Sequence, residues 1–166
     1  YQGSLNTTIA GETLASTEYG GSAGESFYLS KYDEFGNMQF VVSQPTEEIG
    51  CQSVSPKAII NESGDIYIAY QKMCGSGIDD QIIVNKYNSN NGELISQFES
   101  GFSNYCFPNT IVSDGNGGVF VGGSYESSIT FSDIGLDDNS SYLFEGFVFS
   151  CPHDRGRGRL AGFSVG

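Results

Sequence analysis

The chain has 166 residues, 38% hydrophobic, with Phe and Tyr supplying 22 of them and no Trp at all. Its net charge of −13 leaves no basic footprint for a nucleic-acid backbone, and no run of about 18 apolar residues spans a bilayer. Gly-rich turns between short stretches of Phe, Tyr, Ile and Val, without helical periodicity, describe an all-β chain.

The elements repeat in chain order. Glu25-Ser-Phe-Tyr-Leu-Ser-Lys-Tyr-Asp33 returns as Asp80-Gln-Ile-Ile-Val-Asn-Lys-Tyr-Asn88 and as Glu145-Gly-Phe-Val-Phe-Ser150. Pro56-Lys-Ala-Ile-Ile-Asn-Glu-Ser-Gly-Asp-Ile-Tyr-Ile-Ala69 matches the stretch from Pro108 to Gly122. Tyr1-Gln-Gly-Ser-Leu-Asn6 pairs with Tyr125-Glu-Ser-Ser-Ile-Thr130. Strands are expected near 26–32, 38–43, 57–61 and 65–70, then near 81–87, 93–98, 109–113 and 118–122. Gly, Asn and Asp between them supply tight-turn chemistry. The division is 1–24, the end of a preceding repeat; 25–79, repeat 1; 80–144, repeat 2; and 145–166, the start of a third repeat plus a basic tail. Four-stranded antiparallel units recurring at this length are the mark of propeller blades.

The Phe27-Tyr-Leu-Ser-Lys-Tyr-Asp33 motif with Gly36-Asn37, followed by Pro56-Lys-Ala-Ile59 and Ser63-Gly-Asp-Ile-Tyr-Ile-Ala69, resembles the seven-bladed-propeller-type (SBBP) repeats of secreted and cell-surface proteins. The resemblance covers roughly residues 1–150. Phe40 stands where the second strand of that repeat often carries Trp. The resemblance implies blade-like sheets and no shared catalytic residues.

Two full units and partial ones at each end do not close a ring, which takes at least four blades. The chain is then a piece of a longer propeller, an open stack, or a subunit that joins other copies through open sheet edges. In the last case the C-terminal half-unit of one copy would complete the N-terminal half-unit of the next, giving a ring or a fibril. The tail is unlike the rest. Residues 1–150 hold four lysines against nineteen acidic side chains, whereas Arg155, Arg157 and Arg159 face only Asp154. Leu160 to Val165 reads either as a last strand or as an unstructured end.

A start at Tyr1, not Met, fits a processed chain, and no signal peptide is visible. Asn6, Asn61 and Asn139 each open an N-glycosylation triplet. With four cysteines and no CxxC, these point to an extracellular, secreted or cell-surface glycoprotein with two disulfides. A turn at Glu62-Ser63 makes facing positions sum to about 125–127, which sets Cys51 against Cys74. Cys106 with Cys151 follows by elimination.

No cofactor is expected. Calcium is the one metal the loops admit, through Asp33-Glu34, Asp79-Asp80, Asp114 to Gly118 and Asp137-Asp138-Asn139, although none completes a twelve-residue calcium loop. The single histidine, His153, sits beside Asp154 in the tail, and no carboxylate pair stands out for hydrolysis, so no enzyme is expected. The expectation is a non-catalytic structural or interaction protein. The alternative is a glycan- or protein-binding adhesion module using aromatics such as Tyr19, Tyr105, Phe107 and Tyr125.

Overall fold

The computed structural model describes residues 7–9, 11–14, 18–19, 22–23, 27–44, 51–74, 79–131, 134–137, 145–151 and 159–163. Among these every regular element is a strand, and the sheets are antiparallel and none closes into a barrel. The strands are β1 (Thr7–Ile9), β2 (Glu12–Leu14), β3 (Glu18–Tyr19), β4 (Ser22–Ala23), β5 (Phe27–Tyr32), β6 (Met38–Gln44), β7 (Cys51–Ile60) and β8 (Ile66–Cys74). They continue with β9 (Gln81–Tyr87), β10 (Leu94–Glu99), β11 (Tyr105–Ser113), β12 (Val119–Glu126), β13 (Ser128–Phe131), β14 (Ile134–Asp137), β15 (Glu145–Cys151) and β16 (Arg159–Phe163).

Two complete four-stranded sheets carry the fold. The middle sheet runs β10-β9-β8-β7, and the last runs β11-β12-β15-β16 with the β13–β14 hairpin inserted between β12 and β15. β5 and β6 pair with each other ahead of them. The three layers stack through alternation, since successive side chains of a strand point to opposite faces. From β8, Ile66, Ile68 and Tyr70 join Ile83 and Tyr87 of β9 against Phe27, Leu29, Phe40 and Val42 of the first layer. On the other face, Tyr67, Ala69, Ile82 and Val84 meet Ile111, Val119, Val121, Phe147 and Phe149 of the last sheet. Thus β9 is buried along its whole length, and β8 from Ile66 to Gln71.

The tight turns share one device. Asp33, Asn61 and Asp114 each donate their backbone N–H to the carbonyl four residues on, at 2.9, 3.0 and 3.1 Å. Each also accepts the N–H of that same residue on Oδ1, at 2.8 to 2.9 Å. The third residue after the Asx is a glycine with φ between 83° and 89°, a backbone region open to glycine at little cost.

The register crosses the repeat boundaries. β8 pairs with β9 across position 79/80, and β12 with β15 across 144/145, so each sheet takes its first hairpin from one repeat and its second from the next. The motif alignment also slips. Ala69 faces Val84 and the equivalent Gly122 faces Val148, an offset one shorter than the sequence match of Val84 with Phe149. One residue of slip reverses every side chain: Ile82 and Val84 point to the following layer, Phe147 and Phe149 to the preceding one. The prolines misled the second motif likewise, because Pro56 lies inside the β7 bulge and Pro108 before the β11 bulge. Finally, among the described residues β15 and β16 pair within the last sheet, which holds four strands. Of the tail, residues 159–163 form a strand.

The seam between the first two layers gives a direct test. A Cβ on Gly92, at φ 73°, would lie 2.7 Å from the Phe40 ring, while one on Gly36, at φ 83°, meets nothing within 4 Å. Gly36→Ala should cost only the left-handed backbone strain, about 1–2 kcal/mol. Gly92→Ala should cost about 1–3 kcal/mol more for the forced Phe40 displacement. Urea unfolding of both variants reads the difference; equal losses would mean that Phe40 does not rest on this turn.

Candidate functional site

The described residues concentrate their chemistry at four places: the turn ends between the middle and last sheets, a buried polar pair at the opposite end, and two apolar depressions.

At the turn end, the Gly117 carbonyl accepts from Asn61 Nδ2 and, at 3.1 Å, from the Tyr67 hydroxyl. Ser113 Oγ donates to the Glu62 carboxylate. Lys86 Nζ is 2.9 Å from Asp65 Oδ2 and 5.6 Å from the Tyr67 ring centre. Asn61 is buried. This corrects its reading as a glycosylation site: Nδ2, the atom a glycan would occupy, is enclosed and already donating to Gly117 O. Asn6 and Asn139 lie outside the described residues, as do His153 and Asp154.

Of the carboxylates considered for calcium, Asp33 and Asp114 hold turns. Asp33 accepts from the N–H groups of Phe35 and Asn37 and from Asn37 Nδ2, which together hold its carboxyl below the usual range. Asp114 accepts from Asn116 N–H and Gly118 N–H. Asp80 is fully buried, with Oδ2 accepting from Gln71 Nε2 at 2.7 Å. No group of three or more potential metal ligands occurs among the described residues. Asp138 and Asn139 lie outside them.

Cys51 and Cys74 face each other and are joined by a disulfide, with Cα atoms 4.2 Å apart. The expected partnership of Cys106 with Cys151 is corrected: both are free and buried. Cys106 lies opposite Tyr125 at one end of β12, and Cys151 opposite Val119 at the other. Six residues of strand separate those positions, about 20 Å, far beyond what a disulfide bridges. Burial pushes the Cys106 thiol up, with Asp80 adding to the effect, and raises Cys151 to about 12 despite the opposing pull of Lys86. Of the aromatics considered for glycans, Tyr125 is core, Phe107 is half-buried and Tyr105 is exposed; no side-chain placement is described for Tyr19.

Sequence reasoning missed the Gln71–Asp80 pair. Its trace is faint, a Gln ending an apolar run and an Asp opening another. It also missed the outward face of the last sheet, which the alternation Val119-Phe120-Val121-Gly122 encodes. There Thr110, Val112, Phe120, Gly122 and Val148 line a shallow apolar depression of about 350 Å³. A second groove, about 600 Å³, runs between β5 and the β7–β8 hairpin.

No family model, curated protein or solved structure matches this chain. Its likeness to the SBBP-type repeats therefore rests on the motifs alone. Among the described residues no helix is long and apolar enough to cross a membrane.

Two outcomes follow. Denatured protein should give two titratable thiols and one disulfide-linked peptide joining Cys51 to Cys74. Folded protein should give neither thiol to a polar alkylating reagent. Mass spectrometry after alkylation checks both, and a Cys106–Cys151 peptide would contradict the register. The second concerns pH. Burial raises the Asp80 carboxyl, and the Asp79 carboxylate adds to the effect, against hydrogen bonds from Gln71 and the Cys106 backbone. A carboxyl raised on folding binds its proton more tightly in the native state. Its contribution is therefore greatest in acid and falls as pH climbs from the ordinary carboxyl value to the raised one. Asp80→Asn should remove that fall, seen as a wild-type-minus-variant stability difference that shrinks with rising pH. A flat difference would mean that Asp80 titrates normally.

Proposed function

We propose that this chain is a non-catalytic, extracellular structural or interaction module of propeller-blade-type sheets that extends its stack by joining further copies head to tail. One observation carries the reading. The last sheet presents outward the same positions that the middle sheet buries against its neighbour: Phe120 repeats Tyr67, Gly122 repeats Ala69, Val112 repeats Ile59 and Val148 repeats Val84. In the middle sheet Tyr67, Ala69 and Val84 are fully buried; in the last sheet Phe120 is 40% and Val112 48% exposed. In the first described layer Tyr28 and Tyr32 of β5 are about half exposed. None of Phe120, Gly122, Val112, Val148, Tyr28 and Tyr32 is charged on a chain of net −13, and Glu126 continues the outward alternation of β12 at the strand's far end. The disulfide supports an oxidising compartment. The repeat motifs support the blade assignment, and glycosylation, where it occurs, falls to Asn6 or Asn139.

Light scattering across a concentration series tests this. Wild type should grow beyond its 17.8 kDa monomer mass, and Phe120→Glu should stay monomeric with unchanged circular dichroism. Wild type that remains monomeric at millimolar concentration would sink the self-association.

A further inference from the structure

Two buried oxygens in the core between the middle and last sheets have no hydrogen-bond donor. Asp80 and Gln71 are both fully buried, and neither Asp80 Oδ1 nor Gln71 Oε1 finds a partner. The groups that carry them already touch, because Gln71 Nε2 donates to Asp80 Oδ2 at 2.7 Å. The Cys106 N–H lies near enough to favour the charged form, yet Oδ1 is left unpaired. An unpaired acceptor in the interior costs stability, and an unpaired buried carboxylate costs more.

Two orphan acceptors on two groups already joined call for one donor between them. A proton on Asp80 Oδ1 meets both needs. The acid O–H donates to Gln71 Oε1 while Gln71 Nε2 goes on donating to Oδ2. The surrounding groups supply no cation in its place. Asp79, beside Asp80 in the chain, repels a second negative charge. Cys106 of β11 and Tyr125, opposite it on β12, are buried and bring no positive charge. Lys72, next to Gln71, faces Ser53 and Gln81 and so alternates to the other face of β8. Glu99 of β10 faces Ile83, and Glu126 adjoins the inward Tyr125, so both point away from Asp80. The Lys86–Asp65 ion pair belongs to the turn ends.

Asp80 also lies where the two sheets are tied. Its N–H donates to the Ser103 carbonyl at 3.0 Å, and its carbonyl accepts from the Ser103 N–H at 2.9 Å. Ser103 Oγ in turn donates to the Glu126 carbonyl of β12 at 2.9 Å. Close by, the Gly101 N–H donates to the Thr130 carbonyl of β13 at 2.7 Å.

We infer that Asp80 is kept as a neutral acid, paired with Gln71 through two hydrogen bonds, and that loss of its proton opens the Ser103 end of the seam between the middle and last sheets. The step is a plain ionisation. The Asp80 O–H bond breaks, its electron pair stays on the carboxylate, the proton goes to solvent, and Gln71 Oε1 loses its donor. The closed form binds the proton more tightly than the open form, in which solvent surrounds the carboxyl. Opening therefore rises with pH from the ordinary carboxyl value to the raised one and is level above it. This seam lies inside one copy, so the device works whether or not copies stack.

Nuclear magnetic resonance of the full chain reads both halves of the inference. The Asp80 carboxyl carbon should keep its neutral position through the range in which exposed Asp carboxyls titrate. Amide hydrogen exchange at Ser103, taken relative to an unstructured chain, should quicken by up to about tenfold per pH unit over that window. The Asn61 and Asp114 N–H groups, donated to the Asp65 and Gly118 carbonyls at the opposite end, should show no such rise. Asp80→Asn carries an amide N–H where the acid carries its O–H, so its Ser103 should stay protected at every pH. Should that variant fail to fold, the wild-type carbon titration and the three amides decide alone. An Asp80 that ionises with exposed carboxyls would overturn the inference and put a buried water between the two oxygens. Ser103 exchange that stays flat overturns the opening, as does a rise that persists in Asp80→Asn or runs in step with Asn61 and Asp114.

Discussion

The rest of the structure depends on the two-sided burial of the β8–β9 pair. A sheet with one wet face can tolerate an inserted residue by bulging toward solvent. A pair closed on both faces cannot, because a slip would exchange the whole set Tyr67, Ala69, Ile82 and Val84 for Ile66, Ile68, Tyr70 and Ile83. Each fully buried aliphatic or aromatic side chain contributes about 1.5–3 kcal/mol, so both faces together hold the register against such a shift. The bulges fall accordingly in β7 and β10, flanking the central pair, and in β6 and β11 of the neighbouring layers.

The turns convert that register into contact between layers. An Asx residue whose N–H and Oδ1 both engage the residue four places on fixes where each hairpin ends. Once the ends are fixed, they touch. Asn61 and Tyr67 reach Gly117 of the next layer, Lys31 Nζ donates to the Ser89 carbonyl at 2.7 Å, and Gly92 receives the Phe40 ring. A residue chosen for turn geometry thus becomes a contact between sheets, and that is why Asn61 is lost as a glycan acceptor.

This explains what was legible in the sequence. Strand class, turn positions and the Cys51–Cys74 pairing are local or reflect across one tight turn, and alternation with Gly-Asx chemistry records them directly. Sheet membership is not local. Nothing in residues 75–80 states that β9 joins β8 and not β10 alone, and the repeated motifs invited a boundary there. The one-residue slips were hidden because Phe-Val-Phe matches Ile-Ile-Val equally well in either phase. The burial of Asn61, the separation of Cys106 from Cys151 and the Gln71–Asp80 pair all follow from stacking, which no single strand encodes.

The cysteines show how stacking and compartment fit together. The disulfide closes the β7–β8 hairpin at the end away from its turn, with a sequence separation of 23. A loop of that size stabilises by roughly 3 kcal/mol on the chain-entropy view. It joins β7, at the edge of the middle sheet's four strands, to the buried β8, so the covalent link ties an edge strand whose Ala58 and Ile60 are exposed to the core. Cys106 and Cys151 need no such link. They lie in the closed core between the two complete sheets, about 20 Å apart along the strand direction, and burial disfavours the thiolate that oxidation requires. One bridge at an open edge and two thiols kept reduced by packing can therefore coexist in an oxidising environment, each cysteine in the state its surroundings enforce.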